Sequence, residues 1–337
     1  WIGLVGSEMC IRDRDKVKVT EIKKTKKMKV IYAATPEISI SCLEKLLDSS
    51  HELSLVLTMP DKPSGRGKKL MPGPIKKFCI ENSLPFMQPE NLNNFELENK
   101  FNEINPDLLI VFAYGKIIPK KIFELPAHGS INIHTSILPN YRGAAPIQRA
   151  IINGEKSSGI TFMKLSEGLD EGPILECFEM VIEEEETAGS LAKKMSKVAS
   201  NKILQAIDNI ALNNFKLREQ DHSKASYAEK LLKNESCINW DNKAEVIKNM
   251  INGFSPNPCA YTTYKKERIK IYKARLNSTK SEGAGKIMDF SKNTLLVGAE
   301  DFSVELLELS RPGKRKISVA DFYNGSRNFF NLGKYLT

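Results

Sequence analysis

Residues 107–134 read DLLIVFAYGKIIPKKIFELPAHGSINIH. The segment opens on DLLIVFAYG (107–115), the most apolar strand-like run in the chain, and closes on SINIH (130–134). Short apolar runs bounded by Gly, Pro and polar residues mark buried strands. The same pattern recurs on both sides as KVIYAA (29–34), LSLVLT (53–58) and GITFMKL (159–165). Helical character lies between and after them. Residues 36–48 carry Ile38, Cys42, Leu43, Leu46 and Leu47 near helical spacing, 74–82 suit a helix, and AAPIQRAIING (144–154) is a helix stopped by Gly154. A longer helical stretch spans roughly 188–212. Strands alternating with helices predict an open, largely parallel α/β sheet. Ligands of such sheets sit beyond the carboxyl ends of the strands, so AYG (113–115) and HTSILPNYRG (134–143) are where chemistry is expected.

The pattern changes towards the C-terminus. NNFKLREQDHSKAS (213–226) is polar and aperiodic, a linker by composition. From Tyr227 short strands follow one another: CAYTTY (259–264), RIKIYKA (268–274), GKIMDF (285–290), TLLVGA (294–299) and FSVELLEL (302–309), separated by Gly, Asn and Ser. This predicts a small β-barrel or sandwich, led by a helix at 242–252. Residues 1–27 match neither unit. WIGLVGSEMCIRDRD has no period, and its apolar stretch precedes the charges, unlike a secretory signal. They read as a non-native-looking or disordered extension, with a regular pattern beginning at Met28. The expected division is therefore 1–27 extension, 28–210 catalytic unit, 211–226 linker and 227–337 barrel.

Composition removes several function classes. No run of about 18 apolar residues exists to span a membrane. The 6 cysteines are scattered without a C-x-x-C pair, and the 4 histidines show no metal-ligand spacing, so neither a disulfide framework nor a metal site is expected. A reducing, cytoplasmic setting fits. The net charge of +9 is unevenly placed: residues 28–227 hold 23 basic and 25 acidic side chains, whereas 228–337 hold 19 basic and 12 acidic. A cationic unit tied to a neutral one suggests a polyanion held by one and worked on by the other, although charge alone fits a soluble basic surface as well.

Asn132 and His134 stand two apart on a strand, so an amide and an imidazole face one space at its end. Asp170 lies in GLDEG (168–172), a Gly-bracketed turn where backbone comes close to a ligand. Acyl transfer to an amine needs an oxyanion stabiliser and a proton acceptor, with a carboxylate to orient the imidazole. Alone, an N-x-H pair is more commonly a strand end whose side chains satisfy backbone groups. PDKPSGRGKKLMPGPIKK (60–77) is a second feature, with Lys62, Arg66, Lys68, Lys69, Lys76 and Lys77 against one acid, Asp61. Its Gly and Pro content predicts a long flexible loop, and it lacks the spacing of a triphosphate-binding P-loop. RPGKRK (311–316) is a second basic cluster, and Tyr261, Tyr264 and Tyr272 on barrel strands would add stacking surfaces for RNA. His51, His128 and His222 read as structural.

The longer string NIHTSILPNYRGAAPIQ (132–148), followed by GLDEG, resembles the formyltetrahydrofolate-dependent formyltransferases. VIYAATP (30–36), the 60–76 segment, AYGKIIP (113–119) and SYAEKL (226–231) extend the resemblance from Met28 to about Leu336. It implies a Rossmann-like formyltransferase domain followed by a C-terminal small β-barrel (OB-like) domain. It also implies transfer of the formyl group of 10-formyltetrahydrofolate, without a metal, to the α-amino group of methionyl initiator tRNA by a cytoplasmic monomer. The resemblance assigns Asn132, His134 and Asp170 to catalysis, and Phe112, Ala113, Tyr114, Ser136, Ile137, Leu138 and Pro139 to the folate. Lys62, Arg66, Lys68 and Lys69 fall in the loop that enters the tRNA acceptor stem. Four positions depart from the family pattern: Ala34 replaces a Gly, Ile38 a Phe, and Thr135 and Ile137 the Gly and first Leu of the commoner H-G-S-L-L-P. A sugar-nucleotide N-formyltransferase built on the same domain is the alternative, and it would need neither the basic loop nor the cationic barrel.

Overall fold

The structure is a computed structural model that describes residues 26–64 and 69–337. Nearly all of the proposed extension at 1–27, together with Arg66 and Lys68, lies outside the described residues.

Seven strands form the first sheet, in the order Ile174–Val181, Ser157–Lys164, Ser130–His134, Leu108–Phe112, Lys29–Ala34, Glu52–Leu57, Phe86–Met87. Five of them run parallel. Ser157–Lys164 pairs antiparallel with Ser130–His134, and Ile174–Val181 antiparallel with Ser157–Lys164. The direction of the 157–164 strand departs from a largely parallel reading because apolar content marks a strand but not the path by which the chain enters it. Alternation sends Val30, Tyr32, Ile110, Phe112, Ile131 and Ile133 into one core, under the helices Ile40–Leu47, Pro146–Ile152 and Ala188–Ala211. Ile31, Ala33, Leu55, Leu109 and Val111 enter the core on the other face, under Phe95–Ile104 and Lys120–Phe123. Ala188–Ala211 starts at Thr187, whose hydroxyl accepts from Ser190 N while Ser190 Oγ accepts from Thr187 N. The chain leaves Lys29–Ala34 to one side first and the other side later, so the carboxyl ends of Lys29–Ala34 and Leu108–Phe112 flank a topological switch point.

The second unit is an antiparallel sheet in the order Ala260–Tyr264, Glu267–Lys280, Phe302–Ser310, Leu295–Gly298, Ile287–Phe290, with Ile317–Ser318 beside Phe302–Ser310. Its edges are joined by the C-terminal segment. Gly333 N donates to Ile287 O (2.9 Å), Ile287 N to Lys334 O (2.8 Å), and Thr337 N to Thr263 O (2.9 Å). The tail thus bridges the two edge strands and closes the sheet, satisfying groups that an open edge would leave unpaired. The helix Ala244–Phe254 packs Ile247, Ile251 and Phe254 into this core, and Asn252 exchanges two 3.0 Å hydrogen bonds with the Ala274 backbone.

The segment 213–226 is not a free tether. Arg218 and Ile174 exchange backbone hydrogen bonds of 2.8 and 2.9 Å, Gln220 is buried, and Tyr227–Ala228 lies parallel beside Arg142–Gly143. Polar composition suggests a linker, and most of its side chains are exposed, yet Gln220 and part of its backbone are bonded to the first unit. The residues of the basic loop differ from expectation too: Lys62–Ser64 and Lys69–Met71 pair as an antiparallel ribbon.

Candidate active site

Ser130–His134 ends at the carboxyl edge of the sheet. Its odd positions Ile131 and Ile133 enter the core, so Asn132 and His134 share the opposite side. Asp170 arrives from the turn after Ser157–Lys164. Asn132 Nδ2 donates to Asp170 Oδ1 at 3.1 Å, and Asp170 Oδ2 stands 3.5 Å from His134 Nδ1. The Gly143 N–H also donates to Asp170 Oδ2, at 2.9 Å. His134 Nε2 lies 2.9 Å from Tyr141 O, and because a carbonyl only accepts, Nε2 carries a proton. Nδ1 faces the Asp170 carboxylate on the other side of the ring. The His134 side chain is only 6% exposed and that of Asp170 12%, which strengthens charge interactions between them.

The backbone here is specialised. Asp170 has φ +52°, in the left-handed region. Gly172 follows two residues later, where a Cβ would clash with Lys164 O. Gly143, at φ +113°, brings its N–H onto Asp170 beside the Ala228 backbone.

Sequence reasoning missed the layer behind Asp170. Arg142 is fully buried, with Nε and Nη2 donating to Gln220 Oε1 (3.2 and 2.8 Å) and Nη1 to Glu171 Oε1 (3.2 Å). Gln220 Nε2 in turn donates to the carbonyls of Asp170 (2.8 Å) and Gly172 (2.7 Å). His222 Nδ1 lies 3.2 Å from Arg142 Nη2, so this histidine stands beside the site. Arg142 and Glu171 sit within the quoted motifs, but Gln220 and His222 lie in a stretch with no pattern to flag them. Tyr141 donates its hydroxyl to Glu155 Oε1 (2.6 Å), and burial, followed by that carboxylate, pushes the phenol up to about 12.

The candidate folate residues divide by what they have free. Phe112 and Tyr114 are buried in the cores of opposite sheet faces, and burial pushes the Tyr114 phenol up to about 12. Their side chains do not wall an open pocket. Ala113, exposed between them at φ +53°, presents backbone at the switch point. Ser136 Oγ is committed to Asn140 O (2.6 Å) and Leu138 packs against Met163 and Ile174, leaving Ile137, Pro139 and backbone groups. Backbone donors and acceptors beside small apolar surfaces fit the edge of a flat heteroaromatic ring. Among the described residues no three His, Cys, Asp or Glu side chains group to hold a metal ion.

The basic ribbon rises from the same edge of the sheet, after Glu52–Leu57. Lys62 is exposed on it, and the Lys69 backbone pairs with Ser64. Lys76 is already paired: its ammonium, 2.7 Å from Asp61 Oδ2, and Gln88 hold the Asp61 carboxyl below the usual carboxylate range. In the second unit Tyr261, Arg268, Tyr272, Arg311 and Lys314 line a cavity of about 610 Å³, with the Arg268 guanidinium 3.4 Å from the Tyr261 ring centre. Tyr264 differs from expectation. It is buried against Phe329 and Phe330, because its position on the strand points inward.

Residues 26–207 match the family model described as formyl transferase, and residues 230–327 that described as formyl transferase, C-terminal domain. The methionyl-tRNA formyltransferase of Alkaliphilus oremlandii (strain OhILAs) is 41% identical over 300 residues, covering 89% of this chain and 97% of the relative. Among solved structures, the methionyl-tRNA formyltransferase from Clostridium thermocellum superposes with a TM-score of 0.52 at 22% identity, covering 74% of this chain and 94% of that one. HypX from Aquifex aeolicus, solved in complex with tetrahydrofolic acid, superposes with a TM-score of 0.65 at 15% identity, covering 93% of this chain and 51% of that one. These two superpositions speak to the fold alone.

Proposed function

The chain belongs to the formyl transferase family, and on that premise we propose that it formylates the α-amino group of methionyl initiator tRNA, with Asn132, His134 and Asp170 as its catalytic groups. It is a formyltransferase of translation initiation. 10-Formyltetrahydrofolate supplies the formyl group. The α-amino group of the aminoacyl ester, whose pKa of about 7–8 leaves it partly neutral at working pH, attacks the formyl carbon. Asn132 and the imidazolium of His134 stabilise the charge that gathers on the formyl oxygen. Asp170 orients both partners and takes part in moving the proton from the attacking nitrogen to the leaving one as the carbon–nitrogen bond to the folate breaks. Backbone at Phe112–Tyr114 and at Ser136–Pro139 holds the folate.

The observation that carries this reading is the Asn132–Asp170–His134 set, joined within 3.5 Å at the carboxyl edge of a family-matched sheet. Lys62, Arg66, Lys68 and Lys69 are proposed to grip the acceptor arm, and the basic cavity around Tyr261 and Arg268 the RNA backbone. The cytoplasm is the setting this reading assigns to the reaction. The test incubates purified protein and 10-formyltetrahydrofolate with charged initiator tRNA or with an amino-sugar nucleotide. Formyl-methionyl-tRNA is the expected product. Formylation of the sugar nucleotide alone would overturn the proposal.

A further inference from the structure

Arg142 is the largest fully buried side chain among the described residues, and it is charged. A buried guanidinium is costly unless its donors are used. Two of its three nitrogens donate to a single oxygen, Gln220 Oε1. That contact decides how the glutamine amide lies. Donors alone surround Oε1, and carbonyls alone, those of Asp170 and Gly172, surround Nε2. The glutamine cannot flip without setting oxygen against oxygen and amide against guanidinium. Its two hydrogen bonds therefore grip both sides of the peptide segment that holds Asp170 at φ +52°. A non-glycine residue resists that conformation, and surrounding contacts must impose it. If Asp170 relaxed to negative φ, its carboxylate would leave Asn132, His134 and the Gly143 N–H together.

We propose that Gln220, locked by the buried Arg142, is a positioning residue that holds the Asp170 backbone in the conformation catalysis requires. The inference rests on the assignment of Asp170 to catalysis above. The 213–226 strap, distant in sequence from every catalytic group, is thereby part of the active site. The Arg142 side chain serves the strap, and its neighbour Gly143 serves Asp170 directly.

The decisive variant is Gln220→Glu. It keeps an acceptor for Arg142 but removes both donors to the Asp170 and Gly172 carbonyls. Steady-state kinetics with 10-formyltetrahydrofolate and charged initiator tRNA should show kcat lowered by about 10- to 100-fold, with both KM values within about twofold of the parent. Arg142→Lys, which keeps the charge but not the fork, should show a smaller loss of the same kind. In an Asp170→Ala background, followed by single turnover, Gln220→Glu should cause no further loss, because Gln220 acts only through Asp170. Activity of the parent in the same assay reports separately on the proposed function. A parent-like kcat in both single variants, or an undiminished Gln220→Glu loss in the Asp170→Ala background, would overturn the positioning role.

Discussion

At the residue scale the site is a contest for one carboxylate. Asp170 accepts from Asn132, from the Gly143 N–H, and lies against His134, so each partner's geometry depends on the other two. Loss of an oxyanion stabiliser or proton-transfer group costs about 10²-fold or more in turnover. Asn132→Ala, His134→Ala and Asp170→Ala should each lower kcat by that order while leaving the Kd for charged tRNA within about twofold of the parent. Single-turnover formylation and a filter-binding titration on the same preparations measure the two quantities. A His134→Ala protein with near-parent turnover would remove the mechanism. Asn132 and His134 were legible as a pair because the two-residue period of a strand is local. Gln220 was not, since nothing local distinguishes a glutamine that meets an aspartate 50 positions away.

At the element scale, the contacts that matter most join segments of different type. The helix Ala244–Phe254 crosses Pro146–Ile152 so closely that a Cβ at Gly253 would clash with Ile152. Beside that crossing, Arg149 of the first unit pairs with Glu235 through Nη1 at 2.7 Å and Nη2 at 3.1 Å. The guanidinium holds the Glu235 carboxyl below its ordinary value, with burial opposing. A carboxyl depressed in the folded state adds stability above its unfolded pKa of about 4.3, and that stability is lost as pH falls through the lower folded value. Glu235→Gln should therefore melt below the parent at neutral pH, with the gap closing as the buffer is taken below about pH 4. Melting curves across pH 3–8 measure this, and a gap that does not vary with pH would show that the pair's charge is irrelevant.

At the scale of the whole molecule, two cores divide the work. The neutral unit holds the Asn132, His134 and Asp170 set, and the cationic barrel, closed by its own C-terminal tail, carries 19 of the basic residues against 12 acidic ones. The ribbon Lys62–Ser64 with Lys69–Met71 follows Glu52–Leu57 at the carboxyl edge of the sheet, and Lys62 is exposed on it. If Arg66 contacts a phosphate, Arg66→Ala should raise the KM for initiator tRNA, leave that for the folate unchanged, and flatten log K against log salt by about one unit. Turnover should fall as well where the ribbon helps to place the methionyl end. Kinetics at several salt concentrations decide the matter, and unchanged values for both KM and slope would detach the ribbon from tRNA.

The sequence by itself determined the strands at 29–34 and 130–134, a strand within 107–115 that the structure places at Leu108–Phe112, the long helix ending near 211, the change of pattern beyond it, and the shared face of Asn132 and His134. All of these follow from periodicities of two or 3.6 residues and from Gly and Pro punctuation, which act over a few positions. Only the tertiary structure decided that Asp170 would reach Asn132 across 38 positions, that the 157–164 strand would run antiparallel, that Gln220 of the polar strap would hydrogen-bond to the turn holding Asp170, and that residues 333–337 would close the barrel. Those outcomes depend on which backbone groups and buried charges are left without partners once the sheet has formed, and that is set by packing between segments far apart in the chain.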